Sequence, residues 1–413
     1  MDRLNRHFLH ILRCALKGEQ LQTAADLSSE DWAQLMKLSQ SHHILPLIFE
    51  AVHGLPELQS APWLPVIRRQ VRQQVFVQTQ KTCEFLDLYR KFLDTGIRPL
   101  VVKGIICRSL YPHPDHRVSS DEDLLIPPEL TFSCHQQLCA FGMETAVLPE
   151  QFCQVYEIPY RMDNSQLYIE LHRHLFPPES EAYGDLNRFF PDVFRQSASV
   201  TIQGVPVWTM GCTDHLFYLI CHAFKHFLHS GFGIRQVCDI IMFANTCGQN
   251  IDWDAILLRC RAIRADRFAA AIFKIGSNHL VFDPQKACYP PSWRDIPVDE
   301  NPMLEDLLSG GVYGNANLSR RHSSNITLEA VVSQKQGRKA GNSLLLSLFP
   351  PAKNLEHKYP YLKSRPYLLP AAWLDRIGKY CFESARDQSG SASDALRIGN
   401  QRIALLKEYG IIE

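Results

Sequence analysis

The stretch VVKGIICRSLYPHPDHRVSSDEDLLI, residues 101–126, joins two short apolar runs through a lysine-glycine pair and a polar loop. The first run ends at Lys103-Gly104, and the second carries Asp121 and Asp123 with one residue between them. Because side chains two apart on a strand point to the same face, we expect both carboxylates to project together. Grouped carboxylates suit Mg²⁺ or Mn²⁺. The stretch therefore predicts two strands joined through a short helix, with a candidate metal site on the second strand.

Two aspartates this close in sequence are also common in turns, so the pair has a second interpretation as the end of a turn. Two other features favour metal binding. Glu170 lies in the alternating segment LYIEL, a third predicted strand, and its carboxylate joins the pair if the strands are adjacent. Lys103-Gly104 followed by a helix start presents backbone N–H groups of the kind that bind phosphate.

The composition is that of a globular protein. Of the 413 residues, 46% are hydrophobic and 21% are charged, and 43 basic residues balance 43 acidic ones. The zero net charge gives no reason to expect broad binding to nucleic acid or to an anionic membrane. The 13 cysteines include no C-x-x-C pair, which favours a reducing compartment. With no signal-peptide pattern and no apolar run of about 20 residues, we expect a cytoplasmic protein without a membrane segment.

The periodicity of apolar residues changes along the chain and predicts an α+β fold, a small mixed sheet inside a mostly helical protein. The strands are expected near residues 97–102, 121–126 and 167–171, followed by a hairpin around Gly204. We predict a helical N-terminal domain over 1–95, the sheet-containing core over 96–210 and a helical domain over 211–300 that closes the site. A polar loop with further helices is expected over 301–413.

A Lys-Gly turn after a strand, then an arginine and a D-x-D strand, resembles the nucleotidyltransferase fold of the DNA polymerase β superfamily. The chain is more closely similar to the uncharacterised nucleotidyltransferase family of bacteria, itself distantly similar to toxin nucleotidyltransferases of abortive-infection systems. The residues that carry the resemblance are Lys103, Gly104, Tyr111, Arg117, Ser119, Asp121 and Asp123, and later Glu170, His172, His222, Lys225, His226 and Asp239.

The resemblance implies transfer of a nucleoside monophosphate from a nucleoside triphosphate to an acceptor, with release of pyrophosphate. Asp121, Asp123 and Glu170 would be the catalytic metal ligands, and Glu170 would also help to deprotonate the acceptor. The residues expected to bind the nucleotide are Lys103, Gly104, Arg117, Ser119, Ser120 and Lys225, and those expected to support the site are His172, His222, His226 and Asp239.

Two positions depart from the family pattern. Ile105 follows the glycine, and Glu122 separates the aspartates, where its charge faces the back of the sheet. A buried charge needs a partner, such as Arg98 or Arg108, or a place near the sheet edge. Both departures favour an alternative, a nucleotide-binding or protein-interaction module that has lost turnover. A metal-dependent phosphohydrolase that uses the same carboxylates is a third hypothesis.

Four histidines, His215, His222, His226 and His229, lie on one face of a predicted helix. Their spacing allows a zinc site, a face that closes over the nucleotide, or a purely structural role. The acceptor is expected to be a small molecule, peptide or protein rather than nucleic acid, because the chain is neutral overall.

Overall fold

The computed structural model describes residues 1–24, 26–229, 231–310, 318–337, 352–355, 359–375, 378 and 392–413. The fold is α+β, as predicted: the described residues form mostly helices, with one four-stranded and one two-stranded sheet. No helix among these residues has both the length and the apolar character required to span a bilayer.

Four helices precede the sheet. The long fourth helix reaches from the N-terminal helices to the sheet, because Phe85, Tyr89 and Phe92 on its C-terminal half are buried in the core beneath the strands. The Tyr89 hydroxyl donates to the Pro99 carbonyl at 2.7 Å and so fixes the start of the first strand. These helices are α1 (Arg3–Lys17), α2 (Ser29–Ser41), α3 (Leu45–Val52) and α4 (Leu64–Asp94).

The four-stranded sheet has the order β1-β2-β4-β3. Its middle strands, β2 and β4, are parallel, whereas β1 and β3 pair antiparallel with them. The three predicted strands are present, but β3 was missed. Pro159 lies inside β3 and cannot donate a ladder hydrogen bond, and it is tolerated because β3 is at the edge. The elements are β1 (Leu100–Val101), α5 (Gly104–Arg108), β2 (Glu122–Leu125), α6 (Thr131–Ala140), β3 (Glu157–Arg161) and β4 (Tyr168–His172).

The two faces of this sheet differ. Leu124, Ile169 and Leu171 point into the core shared with α4 and α6. Asp123 and Glu170 alternate with them and therefore point to the opposite face. The predicted hairpin around Gly204 forms a separate sheet from β5 (Ala198–Ile202) and β6 (Val205–Thr209).

The rest of the described chain is helical. The region after residue 300, predicted to contain a polar loop with further helices, includes several helices. The glycine-rich and basic stretches at 311–317 and 338–343 lie outside the described residues. Arg402 on the last helix donates to the Phe227 carbonyl and pairs with Asp306, which fixes the C-terminal helix against the seventh. The helices are α7 (Cys212–Leu228), α8 (Ile234–Cys247), α9 (Trp253–Ala262), α10 (Asp266–His279), α11 (Pro291–Arg294), α12 (Asn301–Gly310), α13 (Leu318–Lys335), α14 (Ala352–Leu355) and α15 (Ala392–Glu408).

Candidate active site

An acidic cluster lies where β2 and β4 run side by side. Asp123 is the register partner of Glu170, so their carboxylates share one face of the sheet. The His172 Nε2 atom is 3.1 Å from Asp123 Oδ1 and 3.5 Å from Glu170 Oε2. One ligand atom from each of these three residues lies within 4.8 Å of the others, which is close enough to hold one cation.

Asp121 lies just outside this three-residue group. It directly precedes β2, is partly exposed and lines a small pocket next to the cluster. The ligand set expected from the sequence was Asp121, Asp123 and Glu170. The structure instead groups His172 with Asp123 and Glu170, and leaves the Asp121 carboxylate on the pocket side.

Asp123 lies between two cationic side chains. Lys103 Nζ is 2.9 Å from its Oδ2 atom, and His172 approaches Oδ1. Burial alone would raise the pKa of Asp123, but Lys103 and His172 outweigh burial and hold that pKa well below its usual range. Asp123 is therefore a carboxylate at any physiological pH.

The pKa values of the other two members of the cluster, His172 and Glu170, are also shifted by their surroundings. Burial opposes the charge of His172, but its hydrogen bonds with Asp123 and Glu170 raise the pKa of His172 to about 9. Burial raises the pKa of Glu170, and the nearby Asp123 and Asp121 carboxylates raise it further, against the hydrogen bond from His172. A carboxyl group with a raised pKa is better suited than an ordinary one to accept a proton near neutral pH.

Glu122 points to the opposite face and has a structural partner. Its Oε1 atom accepts from Arg108 Nη1 at 2.5 Å, and its Oε2 atom accepts from the Ile105 backbone N–H at 2.7 Å. Of the two suggested partners, Arg108 is therefore the one used, while Arg98 lies over the Trp208 ring.

This arrangement changes the interpretation of the Lys-Gly turn. The Ile105 N–H, expected to bind phosphate, is occupied by Glu122, and α5 is only five residues long. A Cβ atom at Gly104 would lie 1.8 Å from Glu122 Oε2. The glycine thus makes room for a buried carboxylate, and it also lines the pocket beside the cluster, so its contact with a phosphate group stays a prediction.

Three other residues expected to bind nucleotide form hydrogen bonds with groups of the protein itself. Arg117 pairs with Asp239, with Nε 3.0 Å from Oδ1 and Nη2 2.5 Å from Oδ2. The Ser119 hydroxyl accepts from Arg108 at 2.6 Å, and the Ser120 carbonyl accepts from Lys81 at 2.8 Å. These contacts shape the loop that leads to Asp121.

The helix α4 contributes two residues that were missed. Lys81 Nζ donates to the carbonyls of Ser119 and Ser120 at 2.7 and 2.8 Å, and Gln78 Oε1 accepts from the Ser119 N–H at 2.8 Å. The signal was in the sequence, because these polar residues continue the apolar stripe of Phe85 and Phe92 toward the N-terminus. Polar groups on the buried face of a helix need partners, and here the partner is the loop before Asp121.

The helices α7 and α8 form the other wall of the site. His222 Nε2 is 3.1 Å from Lys103 Nζ, and its Nδ1 atom is 3.3 Å from Gln236 Nε2. Burial and the nearby Lys103 ammonium lower the pKa of His222 well below its usual value, so the ring is neutral. His226 contacts His222 at 3.3 Å.

The helical histidines do not meet at one cation. His215 is buried and bonds to the Val102 carbonyl at 2.8 Å, and His229 contacts the Tyr183 hydroxyl at 2.9 Å. Lys225 lies over the Tyr183 ring, with Nζ 5.8 Å from its centroid, and does not line the pocket. Across the described ranges of the chain, the acidic cluster on β2 and β4 is the one group with the spacing of metal ligands.

An acidic cluster beside a pocket lined with lysine and arginine provides groups for a cation and for an anion side by side. The model of the family described as "Uncharacterised nucleotidyltransferase" matches residues 28–278, from α2 to α10, and the chain belongs to this family. It is a transferase of the nucleotidyltransferase type, and every site residue described above lies in the matched segment. No match was found among curated proteins or among solved structures.

Proposed function

We propose that this nucleotidyltransferase moves a nucleoside monophosphate from a nucleoside triphosphate to a hydroxyl or amine of an acceptor. The observation that carries the proposal is the alignment of Asp123 with Glu170 on adjacent parallel strands, with Lys103 at 2.9 Å from Asp123. The acceptor class is a small molecule, a peptide or a protein, in keeping with the neutral charge of the chain.

The donor set fits a hard divalent cation. Asp123 and Glu170 supply carboxylate oxygens, and Asp121 supplies another at the edge of the pocket. His172 would offer a nitrogen once the cation displaces its proton, and Mn²⁺ accepts a nitrogen ligand more readily than Mg²⁺ does. When bound, Mg²⁺ or Mn²⁺ would supply positive charge to the triphosphate.

The protein groups have distinct roles in the reaction. The acceptor oxygen or nitrogen forms a bond to the α-phosphorus, and the bond from that phosphorus to the bridging oxygen of the β-phosphate breaks. Glu170, with its raised pKa, takes the acceptor proton, and pyrophosphate carries away the electron pair of the broken bond. Lys103 supplies positive charge to the α-phosphate.

The two departures from the family pattern have a structural role in this fold. Glu122 and Ile105 form one structural unit with Arg108, on the face of the sheet that points away from Asp123. They are therefore not evidence for the alternative of a module without activity, since neither side chain enters the site.

The proposal is tested by following a labelled phosphate group from the nucleoside triphosphate to the products. The protein is incubated with its own cell lysate, Mg²⁺ or Mn²⁺, and each nucleoside triphosphate labelled at the α- or the γ-phosphate. We expect α-label to appear in an acceptor and γ-label to appear in pyrophosphate. Both labelled products should be absent with the double variant Asp121→Asn/Asp123→Asn, and also when the divalent cation is chelated.

Other outcomes distinguish the alternatives. Release of γ-label as orthophosphate, with no labelled acceptor, would identify a phosphohydrolase. Nucleotide binding without release of pyrophosphate would identify a binding module. Transfer that is unaffected in Asp123→Asn would refute the assignment of the site.

A further inference from the structure

Three cationic side chains line the small pocket beside the acidic cluster, and two of them are already paired. Lys103 contacts Asp123, and Arg117 makes its two-point ion pair with Asp239. The third is Arg235, at the start of α8. The pocket of about 50 Å³ is too small for a whole nucleotide, since sites for drug-sized ligands measure roughly 300–1,000 Å³.

Arg235 differs from the other two because its hydrogen bond goes to a neutral group. Its Nη1 atom donates to the Val118 carbonyl at 2.5 Å. Within the described part of the chain, no carboxylate lies within ion-pair distance of Arg235. Its guanidinium is partly buried and lines the pocket together with Asp121, which has no ion pair with any residue that the structure describes.

The surroundings of Arg235 favour an additional anion. Burial lowers the pKa of Arg235, and the neighbouring Arg117 guanidinium lowers it further. Charges removed from water are normally paired, so an anion that enters the pocket would relieve this cost. A guanidinium presents a planar set of donors that matches the oxygens of a phosphate group.

The position of Arg235 indicates which phosphates it meets. Arg235 and Asp121 line the same pocket, whereas Glu170 lies outside that lining, in the acidic cluster. Lys103 connects the two places, because it contacts Asp123 of the cluster and also lines the pocket. In-line displacement at phosphorus places the attacking and leaving oxygens on opposite sides. With Glu170 and the acceptor at the cluster and Lys103 at the α-phosphate, the pocket lined by Arg235 is on the side of the leaving phosphates.

We propose that Arg235 binds the β- and γ-phosphates of the nucleoside triphosphate, the part that leaves as pyrophosphate, while its Nη1 atom remains on the Val118 carbonyl. This inference rests on the proposed function and refines the same site. It moves the role that the sequence suggested for Arg117 to Arg235. Arg117 is then a positioning residue that ties the loop before Asp121 to α8 through Asp239.

The test uses inorganic pyrophosphate as the probe, because its binding requires no turnover. Isothermal titration calorimetry in metal-free buffer compares the full-length wild-type protein with Arg235→Gln. We expect affinity for pyrophosphate to fall about 10- to 100-fold, as for the loss of charge-assisted hydrogen bonds. Affinity for a nucleoside monophosphate should be unchanged, and Arg69→Gln, an exposed arginine on α4, should behave as wild type.

A second variant separates binding from folding. Arg235→Lys keeps a charge and a donor for the Val118 carbonyl but lacks the planar fork, so its affinity for pyrophosphate should lie between those of the wild type and Arg235→Gln. Wild-type affinity in Arg235→Gln would overturn the inference, as would an equal loss for the monophosphate. Because pyrophosphate binding is read directly, an absence of nucleotidyl transfer would refute the proposed function without affecting this result.

Discussion

At the scale of single residues, Glu122 explains Gly104. The carboxylate is fully buried, and Arg108 and the Ile105 N–H hold it in place. Glu122, an unexpected charge in the sequence of a strand, is thus one half of a buried ion pair that anchors the Lys103 turn. Breaking one partner of such a pair is costly, because the other charge remains buried.

Gly104→Ala is expected to destabilise the protein more than Gly96→Ala. Both glycines have positive φ, +49° and +76°, but an added Cβ at Gly96 meets nothing within 4 Å. The change at Gly96 should lower the free energy of unfolding by about 1 kcal/mol. The change at Gly104 adds a clash with the immobilised Glu122 carboxylate and should cost about 2–4 kcal/mol. Urea unfolding measures both, and equal losses would contradict the role given to Glu122.

At the scale of elements, α4 supports the loop of the candidate site and is not only a packing helix. Lys81 and Gln78 hold the carbonyls and the N–H of the loop before Asp121. Thr82 Oγ1 also donates to Asp115 at 3.0 Å, at the start of the same loop. These buried polar side chains of α4 therefore set the direction from which the chain enters β2.

Lys81→Met should lower the rate of transfer. Without the ammonium, the Ser119 and Ser120 carbonyls lose their charged donor, and Asp121 is free to shift. We expect kcat to fall about 10- to 100-fold, because small displacements of catalytic groups have effects of this size. Steady-state kinetics measure the change. Lys91→Met, an exposed lysine on the same helix, is the matched control, and equal kcat values for the two variants would contradict this role.

The elements also show how far the sequence could predict the site. Alternation in LYIEL and the D-x-D run located β4 and β2, and with them Asp123 and Glu170. Their adjacency is a long-range pairing that periodicity alone does not supply. The edge strand β3 was missed because Pro159 is unfavourable in a strand. Arg235 was missed because nothing in its local sequence distinguishes an unpaired arginine from a surface one.

At the scale of the whole molecule, the site brings together α4, β2, β4, α7 and α8, which are far apart in sequence. A buried histidine helps to join α7 to the first strand of the sheet. His215 of α7 bonds to the Val102 carbonyl next to Lys103, and His42 at the end of α2 is also buried. Burial lowers the pKa of both His215 and His42 to about 4.

Stability should therefore fall in mild acid. In the unfolded chain a histidine takes up its proton near pH 6.5, whereas these two remain neutral in the fold until about pH 4. The unfolded state thus binds more protons between these limits, and the free energy of unfolding decreases as pH falls from 6.5 to 4. The loss is at most about 3 kcal/mol for each histidine. Urea unfolding at a series of pH values measures it.

A variant assigns part of this slope to one residue. His215→Gln retains a donor for the Val102 carbonyl but does not titrate, so the dependence on pH between 4 and 6.5 should become shallower. His10→Gln, an exposed histidine on α1, should leave the slope as in wild type. An unchanged slope in His215→Gln would show that this histidine takes up its proton at the same pH in the folded and unfolded chains, which would contradict the lowered pKa.

The most direct test of the catalytic assignment is the rate at which α-label passes from a nucleoside triphosphate to the acceptor in Asp123→Asn. Asp163→Asn, an exposed turn aspartate, is the control. The assignment predicts a rate at least about 100-fold below wild type in Asp123→Asn, with an unchanged fold by circular dichroism, and a wild-type rate in the control. A wild-type rate in Asp123→Asn would contradict it.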